Sequence, residues 1–436
     1  MLGAGPAGIA AAHSLSLRGK SVTVIDREPR AGGTHRSFNI GQYTFDSGSV
    51  FFEQNHPLFE MFDGLRELCP SIRRKQGRIA PDASVQHYPF KPQEALRWRF
   101  DKQVLAAFEL ATRSTNQELP PDVEALCVSR LGRTIYETTG LSYYIRRFNR
   151  EDPAEIDAIF FDRRMNFVLK RSRISALVKG QLQNTLGMST QPTAKPPLLV
   201  RPLEGFEALY GRAREKLEAK GVVFKFNSDV EGIVRGDGMY QIHTSDGIVE
   251  AEDVVGAMPL DHLHRSAFGE GTGLEGIDLI TLFVSVSDVP GFDGNVLFNF
   301  HEKGRWKRAT IYSRIYGRQA DRDYFAVEIT NRPENAPDAE AEFARFREDV
   351  RDLGLFAPDL RLEGFDIVRD AYPLYRKGCQ HLIDQGIARL KDLGIHPVGR
   401  QGRFDYLPIS ATVISKTRAQ LSETGLLKAE TDVSET

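Results

Sequence analysis

The chain has only three cysteines in 436 residues, Cys69, Cys127 and Cys379, and no C-x-x-C pair among them. That spacing leaves no disulfide framework and no thiolate metal site, and it suits a reducing compartment. An excess of either charge is also missing: 57 basic residues face 59 acidic ones, a net of −2. A phosphate-driven nucleic-acid binder is therefore not expected. No stretch approaches the roughly 20 apolar residues that a membrane span needs. The apolar N-terminal run is broken by glycines and lacks a basic leader, so it does not read as a secretory signal. These absences predict a soluble, cytoplasmic protein without a membrane span, and leave its oligomeric state open. What is present is material for a large core, with 41% hydrophobic residues and 27 phenylalanines, over a length that predicts two or three domains.

The strongest local signal is the opening "MLGAGPAGIAAAHSLSLRGKSVTVIDREPRAGG". Gly3, Gly5 and Gly8 spell G-x-G-x-x-G, with Pro6 and Ala7 inside the turn. "IAAAHSLSLRG" follows as a helix with Ile9, Ala12, Leu15 and Leu17 on its apolar side and Gly19 as its stop. "SVTVID" then reads as a strand ending at Asp26, 18 residues beyond the last glycine. Gly3 and Gly5 let the backbone approach a pyrophosphate, Gly8 lets helix and strand pack closely, and the helix start offers unpaired N–H groups. Asp26, with Arg27 beside it, can accept hydrogen bonds from a ribose diol. A second match at Gly271, Gly273 and Gly276 lacks the strand–turn–helix order and reads as a surface loop.

Beyond Asp26 the sequence resembles the FAD-dependent superfamily that joins flavin amine oxidases, protoporphyrinogen oxidase-like proteins and UDP-galactopyranose mutases. Gly32, Gly33, Thr34 and Arg36 match its G-G pair followed by a small polar and a basic residue. In that family this stretch runs beside the FAD diphosphate and ribityl chain. "FDSGSVFF", with Ser47, Gly48 and Ser49, is similar to the segment beside the isoalloxazine. "HYPFK" resembles a Y-P-F motif of the mutase-like branch, as does "LGRTIYETTGLSYYIRRFNREDPAEID". "RPLEGFEALYGRAREKLEAKGVVFKFNSDVEGIV" resembles the P-x-x-G-x-x-x-L helix and the strand whose valine, here Val230, touches adenine. "EAEDVVGAMPLDHL" is similar to the returning strand. "VGRQGRFDYLPISATVISKTRA", with Gly399, Arg400 and Tyr406, resembles the second flavin-contacting stretch.

The resemblance implies an α/β fold: a Rossmann-like, GR2-type FAD-binding domain interleaved with a helical segment and an antiparallel-sheet substrate domain. The FAD-binding parts are expected at 1–80, 197–260 and 376–425, the mainly helical cap at 81–196, and the antiparallel sheet at 261–375. The stretch 187–197 reads as a linker and 426–436 as a disordered tail. A second dinucleotide fingerprint in the right setting is missing, so a separate NAD(P)H domain is not expected. The cofactor expected is FAD, with no metal.

The resemblance also implies an active face of Ser47–Val50, His87–Phe90, Tyr136, Tyr143, Tyr144, Arg308, Tyr312, Arg314, Tyr372, Tyr375, Arg400 and Tyr406. His87, Arg308, Tyr312 and Tyr375 are its candidate catalytic residues. Tyrosines with arginines suit a small polar substrate such as a nucleotide sugar, because arginine clamps phosphate and tyrosine donates a hydrogen bond. Three functions remain open: a flavin oxidoreductase that takes hydride from a C–H bond, a non-redox pyranose–furanose mutase, and a non-catalytic FAD-binding protein. The departures favour the first. Ser49-Val50 stands where the mutases carry histidine, Arg308 begins R-A-T-I-Y-S where they read R-x-x-E-x-K, Ser410 replaces an aspartate, and P-K-G-G is reduced to "PLEG".

Only Met1 and Leu2 precede the glycine turn, where a strand of about five residues is usual. The expectation is a short Val/Ile-rich segment upstream, and poor FAD binding by the chain as given.

Overall fold

The computed structural model describes residues 1–112, 119–161 and 196–427. The expected linker and tail fall mostly outside them. Two sheets organise the described residues.

The first is a parallel layer of very short segments. Leu2 bridges Ile25 on one side and Gly256 on the other. Its N–H donates to Val255 O at 2.8 Å, and Gly3 N donates to Ile25 O at 2.7 Å. Outward from Leu2, Thr23–Ile25 pairs with Val223–Lys225 and Val254–Gly256 pairs with Ile395–Pro397, all parallel. Val24, Ile25, Val254, Val255 and Ile395 are buried, as strands covered on both faces require. The chain's first residues thus fill the central position of the layer.

Helix Pro6–Ser16 rises from the turn after Leu2. Proline in its first turn is pre-set for helix, and Ile9, Ala10, Ala11 and Ala12 are all buried. Leu17 departs from the expected apolar side. It follows the helix end and is 61% exposed. Helix Ser410–Glu423 packs beside Pro6–Ser16, and Glu207–Glu218 covers the layer near its edge.

The second sheet has seven strands, in the order Arg361–Pro373, Gly276–Val286, Asp323–Asn331, Trp306–Ile311, Val296–Asn299, Gln76–Ile79, Val85–His87. The five strands within 261–375 pair antiparallel with one another, and the sheet reaches beyond that segment. Val296–Asn299 runs parallel to Gln76–Ile79, and two strands come from residues before 92. The physical reason is burial: Ile79 fills the same apolar cluster as Leu297 and Leu282. Helix Ala339–Arg351 closes the outer face. Asp338 caps it by accepting from Ala341 N at 2.9 Å. Ala339, Phe343, Phe346 and Val350 form one stripe against Trp306 and Val327. Burying each large member contributes about 1.5–3 kcal/mol. The sheet's inner face is left for the site.

The second G-x-G-x-x-G match lies between helix Leu260–Phe268 and strand Gly276–Val286, so its order is helix–loop–strand.

Candidate functional site

A cavity of about 1000 Å³ is lined from both sheets. At one end stand Gly3, Gly5, Gly33 and Asp26. Gly3 has φ +99°, and a Cβ on Gly33 would sit 3.0 Å from Gly5 Cα, so two glycine turns meet backbone to backbone. Gly8 and Gly32 stand behind this surface. A Cβ on Gly8 would lie 1.8 Å from Gly3 O, and one on Gly32 would lie 2.6 Å from His35 O. Helix Pro6–Ser16 begins here with no acidic residue in its own first turn, so its positive end is turned to the cavity beside Asp26. Pro6, Ala7, Arg27, Thr34, Arg36 and Val230 complete this end.

Asp26 accepts from Ala4 N at 2.5 Å and from Glu28 N at 2.9 Å. Burial raises its carboxyl pKa against those two amides, which lower it. Arg36 is held by Glu28 at 3.1 Å and by both oxygens of Asp366, at 2.9 and 3.2 Å. Ser47 also donates to Asp366.

The middle of the cavity is lined by Ser47, Gly48, Ser49, His35, Arg400 and Tyr406. Gly399 (φ +72°) is not itself in the wall. Its Cβ would lie 2.5 Å from Ala7 Cβ, so it seats the last segment against the first helix and delivers Arg400. Burial lowers the Arg400 guanidinium, which donates to Ala371 O at 2.6 Å. His35 is pushed down to about 3, chiefly by burial and then by His56 and Arg400, and its Nδ1 lies 2.7 Å from Tyr210 OH.

The far end is aromatic and cationic. Tyr88 stacks on Phe298 with centroids 3.9 Å apart, and Tyr144 meets the same ring edge-on. Lys307 donates to Tyr372 OH at 3.0 Å and pairs with Glu328 at 2.6 Å. Arg308 pairs with the other oxygen of Glu328. Burial by itself would raise the Glu328 carboxyl, but Arg308 and then Lys307 hold it at about 2. Burial would lower Arg308, yet Glu328 holds it above its ordinary value. Arg74 also opens onto this end, its guanidinium lying 5.6 Å from the Phe51 ring centroid.

Three expected catalytic residues are not in this cavity. His87 lines a separate small depression, its Nδ1 3.0 Å from Pro89 O. Tyr312 is fully buried, and its hydroxyl donates to Asp46 O at 3.0 Å. Tyr375 is fully buried too, donating to Phe404 O at 3.0 Å and accepting from Tyr406 N at 2.7 Å. Both tyrosines fasten backbone segments, which corrects the reactive part expected of them. Of the wider face, Arg308, Tyr88, Pro89, Tyr144, Tyr372, Arg400 and Tyr406 line the cavity. Val50, Tyr136, Tyr143 and Arg314 stand outside that wall, Arg314 donating to Val289 O at 3.2 Å. Arg74, Lys307 and Asp366 are wall residues, and Glu328 a buried partner, that sequence reasoning missed. The one available signal was a lone glutamate in the apolar run "YFAVEIT", opposite the Lys-Arg of "WKRATI".

The glycine turns, the helix start and the arginines fit an anionic dinucleotide, and the cavity's length leaves an aromatic chamber beyond it. Among the described residues no group of three or more metal-ligating side chains converges.

The sequence matches the family model for flavin containing amine oxidoreductase over residues 6–279. The chain is similar to a 4,4'-diapophytoene desaturase from a Methylomonas species, 41% identical over 69 residues, which is 16% of this chain and 13% of that one. It is also similar to an L-amino-acid oxidase of Bothrops moojeni, 25% identical over 262 residues, 53% of this chain and 47% of the relative. Both alignments take in less than half of the relative's own length. Among solved structures, reduced UDP-galactopyranose mutase superposes with a TM-score of 0.76 at 18% identity, covering 98% of this chain and 96% of the other. That likeness is one of fold.

Proposed function

Because the chain belongs to the flavin containing amine oxidoreductase family and takes FAD as its cofactor, we propose that it oxidises a small polar, anionic substrate by hydride transfer, a nucleotide sugar being the class that best fits the chamber. Gly3, Gly5, Gly33, Asp26, Arg36 and Arg400 would hold the FAD. When bound, it supplies a two-electron acceptor for hydride.

The observation that carries this reading is the composition of the far end. Lys307 and Arg308 pair with Glu328, Arg74 opens onto the same end with Glu53 acting on it, and aromatic rings stand beside them, so three cations face two acids. A phosphate or carboxylate on the substrate is attracted to that surplus, and Arg308 offers the geometry for two parallel hydrogen bonds. The stacked Tyr88–Phe298 pair presents a face on which a flat base can lie. The Tyr372 hydroxyl accepts from Lys307, which leaves its own O–H as a donor for a substrate oxygen in the cavity.

A second reading, a mutase that ends with no net redox change, is favoured by Tyr144, Tyr372 and Arg308 sharing one chamber. Product analysis separates the two. With an artificial electron acceptor and a panel of nucleotide sugars, the first reading expects a product lighter by two hydrogens and one acceptor reduced per product. An isobaric ring isomer with the acceptor untouched would overturn it in favour of the second.

A further inference from the structure

We propose that helix Phe100–Thr112, with the turn before it, is a docking surface for an anionic lipid bilayer, resting in the headgroup region without crossing it. The proposal is independent of the reaction assigned to the cavity.

The first observation is where apolar side chains are exposed. Of sixteen large hydrophobic residues exposed among the described ones, five fall between positions 96 and 108: Leu96, Phe100, Val104, Leu105 and Phe108. Phe100 is 79% exposed and Phe108 64%. Scattered single residues need no explanation, but a contiguous apolar patch marks an interaction site. Spaced four apart, Phe100, Val104 and Phe108 share one side of the helix, with exposed Ala107 and Ala111 beside them. The opposite side is anchored: Ala106 is buried, and the Glu109 carboxylate accepts from Thr134 N at 2.9 Å. The apolar side is therefore held outward by the rest of the molecule.

The second observation is the charge around that side, which selects the partner. Lys91, Arg97, Arg99 and Lys102 are all exposed here, and Asp101, paired with Arg99 at 3.3 Å, is the exposed acid among them. Glu94 is turned inward against Arg78. Apolar side chains rimmed by surplus lysine and arginine complement a surface that is greasy beneath and negative on top. A helix of 13 residues is too short to span a bilayer, and no helix among the described residues is long and apolar enough to do so. The surface also adjoins the substrate end of the cavity. Tyr88 and Pro89 line that end, and Phe90 stacks on Trp98 with centroids 5.9 Å apart, two residues before Phe100.

The test is co-sedimentation of the full chain with vesicles of phosphatidylglycerol and phosphatidylcholine, against vesicles of phosphatidylcholine alone. Trp98 supplies a second readout, since the only other tryptophan, Trp306, is fully buried. The expected result is pelleting with anionic vesicles, weakened by salt, with a blue shift of tryptophan emission. The exposed triple variant Phe100→Ser/Val104→Ser/Phe108→Ser should lower partitioning by about tenfold or more, and Lys91→Gln/Arg97→Gln/Lys102→Gln by a similar factor. Unchanged melting temperatures establish that both variants fold. Wild-type protein that stays in the supernatant with anionic vesicles at low salt overturns the proposal, whether a second copy or another part of the chain covers the face. Equal partitioning of wild type and the serine variant overturns it as well.

Discussion

Two single positions, Gly8 and Glu328, bear most directly on the two ends of the cavity. Gly8 is not in the cavity wall, and its work is steric. A Cβ there would lie 1.8 Å from Gly3 O, far inside contact distance. Gly8→Ala gains helix propensity of about 0.8–1 kcal/mol, yet the turn must shift to admit it. The expected outcome is a lower melting temperature together with less FAD retained per chain. Unchanged retention would show that the turn yields without cost. Glu328 sits between Lys307 and Arg308, nearly inaccessible to solvent. Glu328→Gln leaves buried Lys307 and half-buried Arg308 against a neutral amide and should destabilise by about 3 kcal/mol, read by urea unfolding. The pH dependence follows from the shift. The carboxyl is lowered from 4.5 to about 2 in the fold, so its contribution is complete above about pH 4.5. It is lost as pH falls toward 2.

At the scale of elements, one buried pair ties the flavin-side hairpin to the segment after the cap. Asp46 and Arg201 are both fully buried, at 2.9 Å, and Ser37 also donates to Asp46. Arg201 spends further N–H groups on Thr44 O, Pro202 O and Leu203 O. Hairpin Arg36–Ile40/Tyr43–Ser47 carries Arg36 and Ser47 to the cavity, so its anchor governs the site. Arg201→Met strands an unpaired carboxylate, and the expected cost is about 3–5 kcal/mol with loss of bound FAD. Chemical denaturation of the variant, alongside flavin release by filtration, checks both parts.

What could be read from the sequence divides by range along the chain. The opening turn was legible because its logic is local: glycines, helix and acid all lie within 26 residues. The parallel strand Gln76–Ile79 was not, because its four residues carry no alternation and its partner lies more than 200 residues away. Lys307 and Glu328 were hidden for the same reason. Each sits in a strand pattern that reads as half-exposed. The antiparallel register that sets Arg308 opposite Glu328 buries that carboxylate between the Arg308 and Lys307 side chains. Tyr312 and Tyr375 show the converse error, since a tyrosine in a suggestive segment can spend its hydroxyl on backbone.

For the whole molecule, the buried histidines set an acid limit. His35 and His56 are held at about 3 and about 4, both mainly by burial. They stay neutral in the fold while the unfolded chain takes up protons near 6.5. Their contribution is present above about pH 6.5 and declines as pH falls toward 4, by at most about 1.4 kcal/mol per pH unit for each. Unfolding measured between pH 7 and pH 4 should show that slope, and replacing both histidines with glutamine should reduce it to the part that His13, also held at about 4 mainly by burial, supplies.

The most direct measurement is a single-turnover experiment without oxygen, in which FAD-loaded protein is mixed with a nucleotide sugar and the flavin band is followed. Substrate-driven bleaching in one stoichiometric phase is the expected result, slowed and demanding more substrate in Arg308→Met. A flavin band untouched by every anionic substrate, with turnover appearing only after prior dithionite reduction, would contradict it.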